Sequence, residues 1–247
     1  MNVAAPPPEL SVVILGYRAG ATLVDLVDRA AAALDAAAVD WEGVLVANYW
    51  PGQDDATPAV ARALAAGSSR LRALAEPKAG GMGWDLRRGL AAARGQHLAF
   101  IDGDGQMPPG DLARVYLALR DEGYDLVKTY RRERADGLQR KLHSWGFNAL
   151  FAALFPGPDW RDVNSKPKVL TRAAYEQMTL AADGWFIDAE IMLEARRLAL
   201  RVGELPTVFG ALEGRASFVG PRAVLELASA LIRRRWRERR GNGGRLG

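Results

Sequence analysis

Short apolar runs alternate with longer amphipathic stretches along the first half of the chain. Leu10–Leu15 reads as a strand, followed by an alanine-rich helical stretch over Thr22–Leu34. Gly43–Ala47 reads as a second strand, with a helix over Thr57–Ala65 after it. Leu71–Ala75, His97–Ile101 and Asp125–Lys128 give a third, fourth and fifth strand. A further helix is predicted over Gly110–Arg120, just after Pro108 and Pro109, because proline suits a first helical turn. Such alternation predicts an α/β fold with a mostly parallel sheet covered by helices. Ligands of open sheets of this kind bind beyond the carboxyl ends of the strands. Gly16-Tyr17, Asn48 and Asp102 fall at those ends, so residues far apart in sequence should converge on one crevice. The second half is less regular, with helical stretches over Gly137–Leu154 and Ala223–Ile232.

Composition narrows the class. A chain of 247 residues that is 49% hydrophobic can bury one sizeable core, most simply as a single domain. It has no cysteine, hence neither disulfides nor thiolate ligands, and only His97 and His143 offer imidazole. That argues against a zinc site. The N-terminus shows no basic region leading into an apolar core, and no apolar stretch approaches the roughly 20 residues that cross a bilayer. The expectation is an intracellular globular enzyme.

The candidate chemistry lies at the end of the fourth strand. Asp102-Gly103-Asp104-Gly105-Gln106 follows directly on the apolar run, so two carboxylates one glycine apart emerge from a buried strand. Carboxylate and amide oxygens on a tight turn suit a hard divalent cation such as magnesium or manganese, whose open positions can carry a phosphate. Gly103 and Gly105 leave room for unusual backbone angles and for a ligand. An acidic turn of this length also arises as plain solvated surface. An EF-hand loop is excluded, because Met107 stands where the turn glycine belongs and Ala113 where the bidentate acid belongs. Gly80-Gly81-Met82-Gly83 fails the dinucleotide fingerprint at Leu86, and no G-K-[ST] makes a P-loop. It reads instead as a turn that shapes the crevice, with Lys78 near enough in sequence to approach phosphate.

Charge gathers after the fifth strand. Lys128-Thr129-Tyr130-Arg131-Arg132-Glu133-Arg134 leads into the helical stretch bearing Arg140, Lys141 and Ser144, and Asp162-Val163-Asn164-Ser165-Lys166-Pro167-Lys168 follows. A charge run is by default a solvated face. Beyond an acidic metal turn, however, guanidinium forks match the paired oxygens of phosphate.

This ordered set of motifs resembles a family 2 glycosyltransferase of the GT-A fold, closest in layout to the dolichyl- or polyprenyl-phosphate mannose synthases. The resemblance runs from Ser11 to Ser217. Asp102 to Gln106 resembles that family's metal-binding D-x-D-x-Q. Gly81-Met82-Gly83, Gly89 and Ala93-Arg94-Gly95 resemble its glycine-bearing helix. Asp162 to Lys168 and Trp185 to Glu190 resemble its later acidic and aromatic segments, and Glu204-Leu205-Pro206 with Gly214 to Ser217 its closing patterns. Three departures stand out. The first-strand loop is Leu15-Gly16-Tyr17-Arg18-Ala19 rather than P-x-Y-N-E, Tyr49-Trp50-Pro51 looks inserted after Asn48, and the arginine expected before Gly214 is replaced at best by Arg215.

The resemblance implies a GDP- or UDP-linked sugar donor and a magnesium or manganese cofactor held by Asp102, Asp104 and Gln106. Tyr17, Asn48, Asp55, Lys78, Gly81, Gly83 and Asp102 would line the donor site, with Lys168 and Arg215 on the diphosphate. Arg131, Arg140 and Ser144 would grip an acceptor phosphate on a polyprenyl lipid. Such an acceptor is already anionic, so it needs positioning more than deprotonation. A saccharide hydroxyl as acceptor would instead need a base, for which Asp188 is the candidate; Asp188 and Glu190 are also accounted for by a helix start, which favours acids. Asp104 and Asp188 are thus the candidate catalytic acids.

The GT-A domain would span residues 1–220 and an amphipathic helix with a basic tail residues 221–247. Arg233-Arg234-Arg235-Trp236-Arg237-Glu238-Arg239-Arg240 fits docking on an anionic membrane at the cytoplasmic face, each basic residue contributing about 1 kcal/mol near the lipid. No nucleic-acid recognition motif accompanies the charge. A sugar nucleotidylyltransferase is the alternative in another class, but its glycine-rich basic nucleotide loop is not seen.

Overall fold

The structure, a computed structural model, describes residues 6–133, 138–157, 160–210 and 221–243, with the side chains of 133–144, 221–225 and 239–243 left aside. Four strands open the fold with helices between them: β1 (Leu10–Leu15), α1 (Thr22–Ala36), β2 (Trp41–Val46), α2 (Thr57–Gly67), β3 (Leu71–Leu74), α3 (Met82–Ala92) and β4 (His97–Asp102). Then come α4 (Asp111–Glu122), β5 (Leu126–Glu133), α5 (Leu138–Leu154), β6 (Lys168–Thr171), α6 (Arg172–Gln177), α7 (Ile187–Arg197), β7 (Val202–Val208) and α8 (Pro221–Gly243). The strands form one sheet in the order β3-β2-β1-β4-β6-β5-β7.

Both faces of the sheet are covered, which is why β1 and β2 are buried along their whole length. On one face α1 presents Leu23, Leu26, Val27, Ala30 and Leu34 at helical spacing, packed with Leu112, Val115 and Leu119 of α4. Leu86 and Leu90 of α3, most of α7, and Phe147, Phe151 and Phe155 fill the other. Leu227 and Leu231 of α8 are buried in that second cluster.

Two features depart from the sequence expectation. The basic run from Lys128 was expected to follow the fifth strand, yet residues as far as Glu133 belong to β5, whose outer neighbour is the parallel strand β7. And β6 runs antiparallel between β4 and β5, pairing Phe100 with Lys168. Its four residues begin on a lysine and lack the apolar run by which β1 to β5 are recognised; β7, broken by Gly203, Glu204 and Pro206, was likewise not expected as a strand. Because β6 is antiparallel, the residues that lead into it lie level with the carboxyl end of β4. The sheet is otherwise parallel.

Candidate active site

The acidic turn is shaped by contact with β1. The Gly103 N–H donates to the Leu15 carbonyl at 2.9 Å, and a Cβ at Gly103 would stand 2.8 Å from that oxygen, so only glycine fits. Gly105 has φ of 75°, in the left-handed region. The turn is closed by the Gln106 N–H donating to Asp104 Oδ1 at 3.1 Å, and by Gly210 N–H donating to the Gln106 carbonyl at 2.8 Å. Among the described residues no cation pairs with the Asp104 carboxylate. Two carboxylates and the Gln106 amide are hard oxygen donors, a set that fits magnesium or manganese with positions left for phosphate oxygens. No group of three or more acidic, histidine or cysteine residues able to hold a metal occurs among the described residues, so those remaining positions would fall to ligand and water.

Asp102, Gly103 and Asp104 line one wall of a cleft of about 510 Å³ at the carboxyl ends of the strands. Tyr17, Trp50 and Trp185 give it aromatic surface, and Leu15, Lys78, Gly81, Met82, Asp85, Asp183, Gly184 and Glu226 complete it. Tyr17 is fixed by its hydroxyl, which donates to Gln53 at 3.1 Å, and the Lys78 ammonium stands 4.7 Å from its ring centre. Lys78 is buried in an ion pair with Asp85, and Asn48 donates to the same carboxylate at 2.9 Å. Burial raises the Asp85 carboxyl, opposed by Lys78 and Asn48. Asn48 is itself buried, its carbonyl accepting from the Glu76 N–H at 2.9 Å, so it stands behind Asp85. Asp55 accepts from the Thr57 N–H and hydroxyl at 3.0 and 2.6 Å and from the Arg18 N–H at 3.3 Å, tying the loop after β1 to the start of α2.

Gly81 and Gly83 begin α3 against the backbone of residues 182–184. A Cβ at Gly81 would stand 2.9 Å from the Asp183 carbonyl, and one at Gly83 2.8 Å from that of Gly184. Glu190 holds this segment from below, its carboxylate accepting from the N–H groups of Ala181 and Ala182 at 2.9 and 2.8 Å.

Beneath the acidic turn lies a cluster of buried charges. Lys166 reaches Asp102 at 3.1 Å and Asp188 at 2.8 Å, while Lys168 reaches the other oxygen of Asp188 at 2.5 Å and the Ser165 carbonyl at 2.8 Å. All three side chains of the Lys166, Lys168 and Asp188 cluster are buried. Burial alone would raise the Asp188 carboxyl, but the two ammonium charges outweigh it and hold it below the ordinary range. Burial likewise opposes the charge on Lys166, yet Asp102 and Asp188 raise it. Lys168 is pushed down to about 8 by burial, against the pull of Asp188. Lys168, expected on the diphosphate, is thus spent on Asp188 and Ser165.

On the far side of the turn, Arg131 makes a two-pronged pair with Asp162, at 2.5 and 2.7 Å, and lies 5.0 Å from the Phe209 ring centre. Lys128 supports the same loop from within, pairing with Glu204 at 2.7 Å and donating to the carbonyls of Arg161 and Asp162. Burial lowers its pKa, with Glu204 opposing. Arg140 and Ser144 lie on α5 with their own side chains outside the described residues, and Arg215 lies outside them altogether.

Lys166, Trp50, Asp183 and Glu226 were not expected at the site. For Lys166 the antiparallel strand is the reason, since without β6 nothing brings it to Asp102. Trp50 stood in the segment that looked inserted. Glu226 carried no signal, because it is a lone acid in a stretch read as an amphipathic helix.

A parallel sheet of this order, with one antiparallel strand beside the strand that bears the acidic turn, defines the GT-A class of nucleotide-diphospho-sugar transferases. Glucosyl-3-phosphoglycerate synthase from Mycobacterium tuberculosis, solved with Mn2+, UDP-glucose and phosphoglyceric acid, superposes with a TM-score of 0.71 over 92% of this chain and 80% of that one, at 22% identity. The family model of glycosyl transferase family 2 matches residues 11–179, and the chain belongs to that family. Similar sequences include the glycosyltransferase AglD of Haloferax volcanii, 30% identical over 92% of this chain. Dodecaprenyl-phosphate galacturonate synthase of Rhizobium johnstonii is 29% identical over 95% of it. Undecaprenyl-phosphate 4-deoxy-4-formamido-L-arabinose transferase of Salmonella paratyphi A is 30% identical over 60% of it. The chain spans 37%, 70% and 44% of the lengths of these three relatives.

Proposed function

We propose that the chain transfers a sugar from a nucleotide-diphosphate donor to a polyprenyl-phosphate lipid, by a single inverting displacement at the cytoplasmic face of a membrane. Two of the named relatives act on polyprenyl phosphates, which supports the acceptor class. The observation that carries the reading is the state of Asp188. Both its oxygens are held by buried lysines, so it is poorly placed to take a proton from a sugar hydroxyl. A phosphate oxygen is already ionised and asks for no base.

The donor would lie in the cleft, its base against Tyr17 and Trp50 and its diphosphate at the acidic turn. A divalent cation held by Asp102, Asp104 and the Gln106 amide would neutralise the charge that grows on the leaving nucleoside diphosphate. Lys166 fixes the Asp102 carboxylate from behind, and the Lys78–Asp85 pair stands in the cleft wall. The bond from the anomeric carbon to the diphosphate breaks as one to the acceptor phosphate oxygen forms. Arg131, held in place by Asp162, together with Arg140 and Ser144 would orient that phosphate.

Among the described residues no helix is long and apolar enough to cross a membrane. Trp145 on α5 and Ile232, Arg233, Trp236 and Arg237 on α8 are exposed, a mixture of aromatic and basic side chains that favours an anionic lipid surface. Sedimentation with phosphatidylglycerol vesicles at low and high salt checks this; wild-type protein left in the supernatant at low salt would remove the membrane from the reading.

The acceptor is tested by assaying Arg140→Ala and Asp188→Asn with a polyprenyl phosphate and a matched nucleotide sugar. Arg140→Ala should raise the KM for the lipid about tenfold or more with donor affinity nearly kept. Transfer to a saccharide hydroxyl by the wild type, abolished by Asp188→Asn and indifferent to Arg140, would move the acceptor to the hydroxyl class.

A further inference from the structure

Glu226 is the one cleft carboxylate contributed by α8, and its surroundings set it apart. Asp85 is paired with Lys78, Asp102 with Lys166 and Asp183 with Arg87. Asp104 belongs to the acidic turn. Glu226 lines the same cleft with no ion-pair or hydrogen-bond partner for its carboxylate among the described residues. It lies across Gly184, where a Cβ would stand 2.8 Å from its Oε1. The absence of a side chain at 184 is what lets the carboxylate reach over the segment of residues 183–185, which walls the cleft together with the acidic turn.

The rest of its helix is anchored. Leu227 and Leu231 are buried in the core, and Arg234 pairs at 2.6 Å with Glu194, a buried acid of α7. Glu226 is therefore held at the rim by a fixed helix rather than carried on a loose end.

We propose that Glu226 selects the donor by the charge of its sugar, accepting hydrogen bonds from the hydroxyls of a neutral hexose and disfavouring a glycuronate. This rests on the nucleotide-sugar reading of the cleft. A uronate carboxylate near Glu226 meets a like charge, since no cation pairs with Glu226 among the described residues. A hexose hydroxyl donates to the same oxygens. The glutamate is solvent-exposed, which screens but does not abolish the repulsion. Discrimination on the order of tenfold is expected.

The test is calorimetric, on the full chain with Mn2+ present. Dissociation constants are measured for UDP-glucose and UDP-glucuronate, and for GDP-mannose and GDP-mannuronate, in the wild type and in Glu226→Gln. Free UDP and GDP, which carry no hexose, are the internal reference. The wild type should bind the neutral member of the productive pair about tenfold more tightly, and Glu226→Gln should bring the two members within about twofold. An unchanged preference in Glu226→Gln, or no preference in the wild type, overturns the assignment while leaving the cleft a nucleotide-sugar site. Failure of the wild type to bind either free nucleotide or any of the four donors overturns the underlying reading, and the proposal with it.

Discussion

Two carboxylate clusters sit at opposite ends of the same strands, and they differ in what satisfies them. At the amino ends, Glu42 is buried and accepts from the Ser11 hydroxyl at 2.7 Å, the Arg94 N–H at 2.7 Å, the Arg94 guanidinium at 2.9 and 2.7 Å, and Arg72 at 3.3 Å. Ser11 in turn accepts from the Gly95 N–H at 2.7 Å, so β1, β2 and the approach to β4 are tied at one point. At the carboxyl ends, Asp188 is saturated by two lysines and Asp102 shares one of them, but Asp104 and Glu226 have no cation of their own among the described residues. A carboxylate whose acceptor capacity is filled by the protein stabilises the fold; one left open in a cleft is available to a ligand.

The largest effect should come from the open end. Asp104→Asn should lower sugar transfer about a hundredfold or more while the thermal midpoint stays close to that of the wild type, since the residue takes little part in packing. Full transfer by this variant, or by the wild type in excess chelator, would break the division between the two clusters. Lys166→Met probes the boundary, because Lys166 serves both a saturated acid, Asp188, and an acid of the turn, Asp102. Its loss should cost about 3 kcal/mol in denaturant unfolding without divalent cation, and millimolar Mn2+ should recover part of that loss. If Mn2+ stabilises the variant no more than the wild type, Lys166 is a structural cation only.

Glu42→Gln tests the closed end. It removes the charge that faces Arg94 and Arg72, so stability should fall by about 2 kcal/mol with transfer per folded molecule unchanged. Reduced turnover at full folding would tie the two ends together. The smallest effect concerns acid. Burial alone would raise the Glu42 carboxyl, but hydrogen bonds from Ser11 and Arg94 and the charge of Arg72 hold it below the ordinary value of 4.5. Glu194 is lowered for a like reason, burial being outweighed by Arg197, the Thr179 N–H and Arg234. The unfolded chain therefore binds more protons just below pH 4.5, so this stability is complete above that pH and is lost as pH falls through the lower, folded values. Urea midpoints followed from pH 6 to pH 3 should drop less steeply in Glu42→Gln than in the wild type, and parallel curves would contradict the assignment.

Much of this architecture is legible from local pattern. The strands β1 to β4 are apolar runs that need no partner to be recognised, and the helices after β1 and β2 announce themselves by alanine-rich, amphipathic spacing. The acidic turn follows its strand directly, so its place at a carboxyl end follows from the alternation of strands and helices. Residues close in sequence to a strong element, such as Tyr17 after β1 and Gly81 before α3, could be set at the cleft on that basis.

What the chain alone decided, then, is the fold class and the place of the acidic turn, because both rest on neighbours in sequence. Tertiary structure decided which charges are free. Lys168 and Lys166 are two basic residues in a polar run until β6 enters the sheet antiparallel and brings both against Asp188, one of them also against Asp102. Glu226 is one acid on a long helix until Leu227 and Leu231 bury their face and turn it over Gly184. An ion pair depends on distance across the fold, and burial decides how strongly it counts, so neither is written in the spacing of residues along the chain.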